Sequence, residues 1–269
     1  MDKVKRNERL AVMLHVLGSA PNRIVPFSTF CEMFGSAKST VSEDTDLLQK
    51  MALRYGLGKV ETLTGAAGGV RFRPLDLGEK RRERVLALCE RLEEPDRVLP
   101  GGFLYQSDLL SDPSAVSDMA RIFAGVSYPL LPEFILTMET KGIPVAMLTA
   151  QAMSLPLVIA RHSNKVYEGS AVNIFYMTSS GRIETMSLSR RAVREGSRAL
   201  IVDDFMRGGG TVNGMRSLMK EFHVDVVGAC VVLAVEDANH PIPQDVKALM
   251  LLSRGEDGQT LKVRPGDWL

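Results

Sequence analysis

The chain reads Ala199-Leu-Ile-Val-Asp203-Asp204-Phe205-Met206-Arg207-Gly208-Gly209-Gly210-Thr211 at the point that decides its fold. The apolar run before the two carboxylates is short and continuous, which is typical of a strand buried on both faces of a sheet. The three glycines have no Cβ, so backbone N–H groups can close around an anion. A helix predicted from Thr211 to about Phe222 adds free N–H groups and the positive end of its dipole. The segment therefore predicts a strand, an anion-binding turn and a helix.

The two adjacent carboxylates indicate a second part of the ligand. Carboxylates do not suit a phosphate, whereas they accept hydrogen bonds from ribose hydroxyls and bind Mg²⁺. Glycines that serve only tight packing would leave the acids Asp203 and Asp204 at the end of a strand unexplained. A Walker-type nucleotide loop is disfavoured because no lysine precedes Thr211. The segment therefore indicates a sugar-phosphate site, with both aspartates on the sugar or on a metal ion near it.

The order strand, Asp-Asp, glycine-rich turn, threonine and helix resembles the phosphoribosyl-pyrophosphate (PRPP) motif of type I phosphoribosyltransferases. The resemblance implies that residues 203–211 bind PRPP, with Asp203 and Asp204 on the ribose hydroxyls and the associated Mg²⁺. The motif departs from active transferases at two positions. These enzymes commonly have Thr or Ser where Gly208 stands and a small residue where Arg207 stands. Both changes favour holding an anion over turnover, so the domain is expected to be non-catalytic.

The rest of the C-terminal part alternates strands and helices from about Val98, as an open, mostly parallel sheet does. A strand is predicted at 134–138 and a helix from about Pro144 to Ala152, with Thr140-Lys141-Gly142 between them. In type I phosphoribosyltransferases the loop after the first sheet strand binds pyrophosphate, which implies that role for these three residues. Further strands are predicted at 156–160, 172–176 and 224–235. A polar stretch is predicted from Thr178 to Ser189, and the resemblance places the mobile flap of the family around 177–197, which includes it.

Three other side chains are candidates for the same ligand. Arg161 and Lys165 follow the predicted strand at 156–160 and add positive charge for a ligand with several phosphates. Tyr105, like Phe205, is a candidate to flank a base or the ribose. Core packing is the alternative for both aromatic residues.

The N-terminal part predicts a winged helix-turn-helix. Apolar spacing indicates a helix that ends near Gly18, and Gly35 ends a second helix over 27–34. Ser36 is expected to cap a third helix from Ala37 to about Arg54. Two short strands, 60–64 and 70–73, flank a glycine-rich tip and predict a β-hairpin, which after these helices is a wing.

The candidate DNA contacts lie at three places in this N-terminal part. They are Lys38, Ser39, Thr40 and Ser42 at the start of the third helix, Arg71 and Arg73 on one face of the wing, and Lys5 and Arg6 before the first helix. Residues 1–74 hold 11 lysines and arginines against 7 aspartates and glutamates, a net charge of +4, whereas the remainder carries −3. This balance suits a polyanionic partner. The alternative is a small helical docking module with a solvated basic face.

Length and composition limit the classes of protein to which the chain can belong. The 269 residues, 45% apolar and 24% charged, suffice for two domains with proper cores. The predicted division is a winged-helix domain over 1–74 and a PRPP-binding domain over 75–269, with the boundary near 74–78. Apolar runs are too short for a membrane helix, the N-terminus lacks a signal-peptide core, and three cysteines stand far apart. The expectation is a cytoplasmic protein with reduced thiols.

Both parts together resemble the Gram-positive purine operon repressors over essentially the whole chain. Segments that carry the resemblance include Ser36-Ala-Lys-Ser39, Gly65-Ala-Ala-Gly-Gly-Val70, Thr140-Lys-Gly-Ile-Pro144 and Val202-Asp-Asp-Phe-Met206. The resemblance implies a homodimer that binds operator DNA of purine genes and is released by PRPP with Mg²⁺. Purine nucleotides that carry a ribose 5′-phosphate or a pyrophosphate are candidate competitors. The alternatives are a working purine phosphoribosyltransferase with a DNA-binding appendage and an interaction protein with neither ligand.

Overall fold

The computed structural model describes residues 4–65, 68–74, 79–100, 103–163, 169–178, 181–255 and 260–269. The chain divides into two compact units, Met1–Leu77 with Gln151–Ser154 and Gly78–Ala150 with Leu155–Leu269. Residues 75–78, where the sequence places the domain boundary, lie outside the described residues, so that boundary stays a prediction. Among the described helices, none has both the length and the apolar character needed to cross a membrane.

In its described residues, the first unit contains three helices and a small antiparallel sheet. Its elements are α1 (Arg6–Ser19), β1 (Ile24–Pro26), α2 (Phe27–Phe34), α3 (Lys38–Arg54), β2 (Lys59–Leu63) and β3 (Gly69–Arg73), with strand order β1-β3-β2. Phe30, Val41 and Leu48 are buried in a core shared by the helices and strands. The winged helix-turn-helix fold predicted from the sequence is confirmed.

Helix α2 ends as predicted, whereas α3 begins differently. Gly35 adopts φ 57°, a left-handed conformation that glycine reaches without a steric penalty, and so ends α2. The predicted cap of α3 by Ser36 is wrong. Ala37 is the N-cap residue and offers no side-chain cap, while the Ser36 hydroxyl hydrogen-bonds the Phe34 carbonyl. The first N–H groups of α3 are therefore not occupied by a capping side chain.

The second unit is built on a six-stranded sheet with the order β13-β12-β11-β10-β6-β7. Its helices are α4 (Glu79–Leu92), α5 (Pro113–Ser127), α6 (Ile143–Met153) and α7 (Gly210–Glu221). Its strands are β4 (Val98–Leu99), β5 (Phe103–Leu104), β6 (Phe134–Met138), β7 (Leu157–Ala160), β8 (Ala171–Met177), β9 (Ile183–Ser189), β10 (Arg198–Met206), β11 (Asp225–Val235), β12 (Val246–Arg254) and β13 (Leu261–Pro265). All neighbours in the sheet are parallel except β12 and β13. The predicted mostly parallel α/β fold is confirmed.

Strand β10 lies inside the sheet, between β6 and β11. Its apolar run Ala199–Val202 is fully buried, as the continuous apolar sequence predicts. Ile201 pairs with Leu136 of β6 in a parallel register, so the carboxyl ends of both strands open at the same edge of the sheet. Ligands of open α/β sheets bind at such an edge. The register therefore brings the loop after β6 beside the Asp-Asp segment.

The polar stretch predicted between residues 178 and 189 is largely a strand. β8 and β9 form an antiparallel hairpin with Met177 opposite Ile183. Burial alternates along β8, but Phe175 on its exposed face is apolar and 77% exposed, so the sequence lacks the apolar–polar alternation that predicts such a strand. Strands β12 and β13 were not predicted either. In its described residues, the part assigned to a flap therefore contains the end of β8, all of β9 and the loop that leads to β10.

Candidate functional site

The glycine turn after β10 has the backbone that an anion cradle needs. Gly208 and Gly209 adopt φ 64° and φ 75°, and Gly209 is the N-cap residue of α7 without any side-chain cap. A positive φ turns successive N–H groups to one side, and the helix N-terminus adds positive potential there. The turn can therefore hold a phosphate with backbone groups, and side chains are not needed for that contact.

Asp203 is a buried acid in this site. Its side chain is 4% exposed, and its Oδ1 accepts a hydrogen bond from the Asp204 backbone N–H at 3.0 Å. Burial and the neighbouring Asp204 charge raise the pKa of Asp203 well above its ordinary value. A cation or a hydroxyl donor that binds here would stabilise the ionised carboxylate.

Asp204 faces the open side of the same edge. Burial raises the pKa of Asp204, while the charge of Lys141 acts in the opposite direction. Its Oδ2 lies 3.4 Å from Nε2 of Gln106, a residue that the sequence analysis did not single out. Gln106 stands in a loop without periodicity, so only its position in space marks it.

The loop after β6 closes over Asp203. A Cβ at Gly142 would lie 2.6 Å from Asp203 Oδ1 and 2.7 Å from Thr137 Oγ1, so only glycine fits at this position. Thr140 and Lys141 stand exposed on the loop, and α6 follows directly. The predicted pyrophosphate loop therefore lies against the Asp-Asp pair, where its N–H groups and the Lys141 ammonium can face one ligand.

Two cavities open on the motif. One of about 620 Å³ is lined by residues that include Gln106, Lys141, Asp204, Phe205 and Arg207. The other, of about 450 Å³, lies between the glycine turn and the β8–β9 hairpin, beside Gly208, Gly210 and Tyr176. Volumes of this size accommodate a small ligand. The glycine turn borders the second cavity and Asp204 borders the first, as a ligand with separate phosphate and sugar parts requires.

The hairpin contacts the motif through Tyr176. The Tyr176 hydroxyl donates to Glu184 Oε2 at 2.9 Å and is also hydrogen-bonded to the Thr211 side chain. Burial and Glu184 raise the pKa of Tyr176 to about 12, so the phenol stays protonated. A Cβ at Gly214 would lie 2.9 Å from the Tyr176 ring, which shows how closely α7 approaches the hairpin. Thr211 is thus engaged with the hairpin side of the turn.

Some predicted ligand contacts occupy other positions. Met206 is 5% exposed and belongs to the core, so its side chain does not line the site. The alternative that Tyr105 packs in the core is wrong, because the residue is 44% exposed. Phe205 lines the larger cavity. Arg161 forms an ion pair with Glu139 at 3.5 Å. Lys165 lies outside the described residues.

The donor set of the site suits a metal ion that arrives with its ligand. Within the described ranges, no cluster of three or more His, Cys, Asp or Glu side chains could hold a metal ion by itself. Asp203 and Asp204 supply two carboxylates. Because burial raises the pKa of both, a nearby cation would stabilise their ionised forms. Mg²⁺ commonly takes one or two carboxylates together with ligand phosphates. These two residues therefore fit Mg²⁺ that a phosphorylated ligand also coordinates.

The start of α3 forms a groove with the wing in the first unit. Lys38 and Ser42 line this groove together with Thr62 and Thr64. Lys38 and Ser39 are exposed, and the Lys38 ammonium lies 5.7 Å from the centre of the Phe27 ring. Thr40 is half-buried in the first turn of α3. An uncapped helix start with exposed lysine and hydroxyl groups can contact a phosphate backbone.

The wing arginines are paired within their own sheet. Arg71 and Arg73 lie on the face opposite buried Phe72, as predicted, and both approach Glu61 Oε2, at 2.7 Å and 3.6 Å. Burial acts to raise the pKa of Glu61, but hydrogen bonds from Lys59 and Arg71 and the Arg73 charge lower it. Both wing arginines therefore share one carboxylate with Lys59, which offsets part of their positive charge.

The cations near the N-terminus also differ in how far they are paired with acidic groups. The Nε of Arg6 donates to buried Asp44 at 3.0 Å, while its side chain remains 53% exposed. Arg9 holds the other Asp44 oxygen at 2.6 Å. Lys5 is exposed, and its backbone N–H donates to Glu8. Arg6 is thus anchored at one nitrogen and open at the others.

Comparison with protein families matches both units. Residues 5–74 match the N-terminal domain of the bacterial purine repressor, and residues 107–255 match the phosphoribosyl transferase domain. The fold of the second unit is also that of solved transferases. A crystal structure of adenine phosphoribosyltransferase from Thermoanaerobacter pseudethanolicus has a TM-score of 0.53 and 20% identity, and the match covers 62% of this chain and 98% of that chain.

Two relatives match the chain over nearly its whole length. The purine biosynthesis transcriptional repressor of Bacillus subtilis is 38% identical, over 99% of this chain and 94% of the relative. The purine biosynthesis transcriptional activator of Lactococcus lactis is also 38% identical, over 93% of each protein. The chain therefore belongs to the bacterial purine repressor family, with the family's N-terminal domain followed by a phosphoribosyltransferase-type fold.

Proposed function

We propose that this protein is a transcriptional repressor of purine biosynthesis genes that binds operator DNA and is released by PRPP with Mg²⁺. One observation carries the proposal. A chain with a winged-helix unit also holds an uncapped glycine turn next to the buried pair Asp203-Asp204. The relatives named as purine regulators share both domains over nearly their whole length.

PRPP fits the chemistry of the site part by part. The 5′-phosphate is assigned to the turn from Gly208 to Thr211, where backbone N–H groups are available. The ribose hydroxyls are assigned to Asp203 and Asp204. The pyrophosphate and its Mg²⁺ are assigned to the loop at Thr140–Gly142, with the Lys141 and Arg207 charges facing the same cavity. The phosphate oxygens, which accept hydrogen bonds, thereby meet N–H donors, and the ribose hydroxyls, which can donate, meet carboxylate acceptors.

Operator DNA is assigned to the start of α3 and to the wing. Lys38, Ser39 and Ser42 are the side chains proposed for direct contact, and Arg6, Arg71 and Arg73 are proposed to add phosphate contacts. A pseudo-symmetric operator would require two copies of the first unit, so the active form is proposed to be a homodimer. Light scattering of the purified chain tests the dimer independently of DNA.

Release requires that PRPP binds the DNA-free form more tightly than the DNA-bound form. A ligand shifts an equilibrium only by its difference in affinity for the two states. Equal PRPP affinity with and without operator DNA would therefore exclude this mechanism. Purine nucleotides that carry the same phosphate groups are proposed to compete, and displacement of PRPP in a calorimetric titration tests that point.

A working transferase is the alternative. Gly208 leaves the cradle without the side-chain hydroxyl that transferases commonly have there, and exposed Arg207 adds a fixed cation. Both features support binding without turnover. Incubation with PRPP, Mg²⁺ and adenine, guanine, hypoxanthine or xanthine is expected to yield no nucleotide. Nucleotide formation would favour the alternative.

The deciding experiment is fluorescence anisotropy of labelled DNA from upstream of the organism's purine genes. We expect tight binding that PRPP with Mg²⁺ relieves, while pyrophosphate at equal ionic strength relieves less. Tight binding that PRPP leaves unchanged would contradict the effector assignment. In vitro transcription from the same DNA reads the sign of regulation, which matters because one relative is named an activator.

A further inference from the structure

Gln106 holds a buried hydrogen-bond acceptor without a partner at the edge of the larger cavity. The residue is 7% exposed and lines that cavity. Its Nε2 lies 3.4 Å from Asp204 Oδ2, whereas its Oε1 meets no donor in the described part of the chain. Buried polar atoms are nearly always hydrogen-bonded, so an exception beside a cavity is a candidate ligand contact.

The position of Gln106 is fixed by its neighbours. Arg97 donates through two nitrogens to the Asp108 carboxylate, at 2.8 Å and 2.9 Å, and so ties together the two ends of the segment that carries Gln106. The Tyr105 N–H donates to the Arg97 carbonyl at 2.8 Å, and the Leu110 N–H donates to the Gln106 carbonyl at 3.2 Å. These contacts hold the described backbone on both sides of Gln106, which favours a defined contact for a residue that lines the cavity.

The chemistry of the amide selects the class of ligand. A carboxylate accepts but does not donate, so the Asp204 contact requires the NH₂ end of Gln106 and leaves Oε1 for the ligand. Phosphate oxygens are acceptors and cannot satisfy Oε1. A sugar hydroxyl can donate to it, and a second hydroxyl on the next carbon can donate to Asp204.

We propose that Gln106 and Asp204 together bind the vicinal hydroxyls of a ribose, with Gln106 accepting from one hydroxyl and Asp204 from the other. The inference rests on the proposed function, because it requires a sugar phosphate at the Asp-Asp motif. It adds a ribose-recognising residue outside the motif and predicts selectivity for ribose over deoxyribose. Rejection of a ligand that lacks one hydroxyl follows because a buried acceptor would again stay unpaired.

The test compares a probe with hydroxyls and a probe without them. Isothermal titration of ribose 5-phosphate and of pyrophosphate, each with Mg²⁺, is made on the full chain and on Gln106→Met, which keeps length and removes both polar ends. We expect about tenfold weaker binding of ribose 5-phosphate, the scale of one lost hydrogen bond, and no change for pyrophosphate. Gln151→Met makes the same change at an exposed position of α6 and should leave both affinities unchanged.

Unchanged ribose 5-phosphate binding in Gln106→Met, or an equal loss for both probes, would overturn the inference. The unaltered protein supplies a second measurement if the variant does not fold. It should bind ribose 5-phosphate about tenfold more tightly than 2-deoxyribose 5-phosphate, and equal affinities would overturn the inference. Failure of the unaltered protein to bind PRPP or either sugar phosphate would instead remove the proposed function, and the inference with it.

Discussion

The wing and the acidic edge of the second unit differ in how they treat their charges. In the wing, Glu61 lies within ion-pair distance of Arg71 and Arg73, and its pKa is lowered. At the sheet edge, Asp203 and Asp204 are neighbours, and burial raises the pKa of both. The wing arginines thus have an acidic partner within the fold, whereas a proton, a cation or hydroxyl donors would further stabilise the acidic pair.

The contrast has a functional meaning. A region whose charges are already paired gains little from any single new contact, because each contact must first compete with an existing ion pair. A region with unfavourable buried charge gains strongly from a ligand that neutralises it. We therefore expect ligand binding to depend on few residues of the second unit and DNA binding to be spread over many residues of the first.

The largest effect is expected from Asp204→Ala. Loss of the carboxylate removes the ribose contact and a metal contact together, so PRPP affinity should fall by roughly 100-fold or more, about 3 kcal/mol. Isothermal titration with PRPP and Mg²⁺ measures the loss. DNA affinity by anisotropy should stay the same, which yields a repressor that PRPP does not release. Loss of DNA binding in the same variant would show that the two units do not act separately.

Gly142→Ala should have the next largest effect. The added methyl would lie 2.6 Å from Asp203 Oδ1 and 2.7 Å from Thr137 Oγ1, so the loop or the acid must move. We expect stability to fall by about 1–3 kcal/mol and PRPP affinity to fall by about tenfold. Thermal unfolding and calorimetry measure the two changes.

Gly18→Ala is the matched control for Gly142→Ala. A Cβ at Gly18 meets nothing within 4 Å, and the residue lies in α1. The substitution should raise stability by roughly 0.5–1 kcal/mol through helix propensity and leave PRPP binding unchanged. A similar loss in both variants would mean that the close contact at Gly142 is not the cause.

The two regions also differ in how well the sequence predicts them. The turn at 208–210 follows from glycine and strand patterns, which are local properties of the chain, and the structure has the expected strand, turn and helix. The pairing of Arg71 with Glu61 depends on the register of β2 and β3, which the sequence does not specify. Gln106 could not be found for the same reason, since it reaches Asp204 across 98 residues of sequence. Backbone-determined parts of a site are therefore predictable, and contacts made through distant side chains are not.

Lys38→Ala and Arg71→Ala compare an exposed cation with a paired one. Lys38 stands at the groove of α3, whereas the Arg71 guanidinium is bound to Glu61. We expect Lys38→Ala to weaken operator binding by about tenfold. The slope of log affinity against log salt concentration should fall in magnitude by about one, because one phosphate contact is lost. Arg71→Ala should have a smaller effect in anisotropy titrations across salt. A larger effect of Arg71→Ala would mean that its ion pair opens on DNA.

The pH dependence of stability tests the acidic edge alone. The pKa of Asp203 is raised in the folded state, so the folded protein binds this proton more tightly than the unfolded chain. The contribution of Asp203 to stability is therefore favourable at low pH and is lost as pH rises through the raised pKa. Asp203→Asn should raise the free energy of unfolding by about 1 kcal/mol near pH 8 and by less near pH 5. Thermal melts of both proteins at the two pH values measure it, and an equal gain at both would contradict a titrating Asp203.

We expect the smallest effect from Glu61→Gln, which tests whether the positive charges of the wing contact DNA. The substitution removes the carboxylate that Lys59, Arg71 and Arg73 share, so three cations lose their internal partner. We expect operator affinity at low salt to rise by about threefold with a steeper salt slope, and stability to fall by roughly 0.5–1 kcal/mol. Glu32→Gln makes the same charge change at an exposed position of α2. If both variants bind DNA equally, net charge alone determines affinity, and pairing within the wing has no part in it. If only Glu61→Gln binds more tightly, the wing arginines contact DNA, and their ion pairs with Glu61 weaken that contact in the unaltered protein.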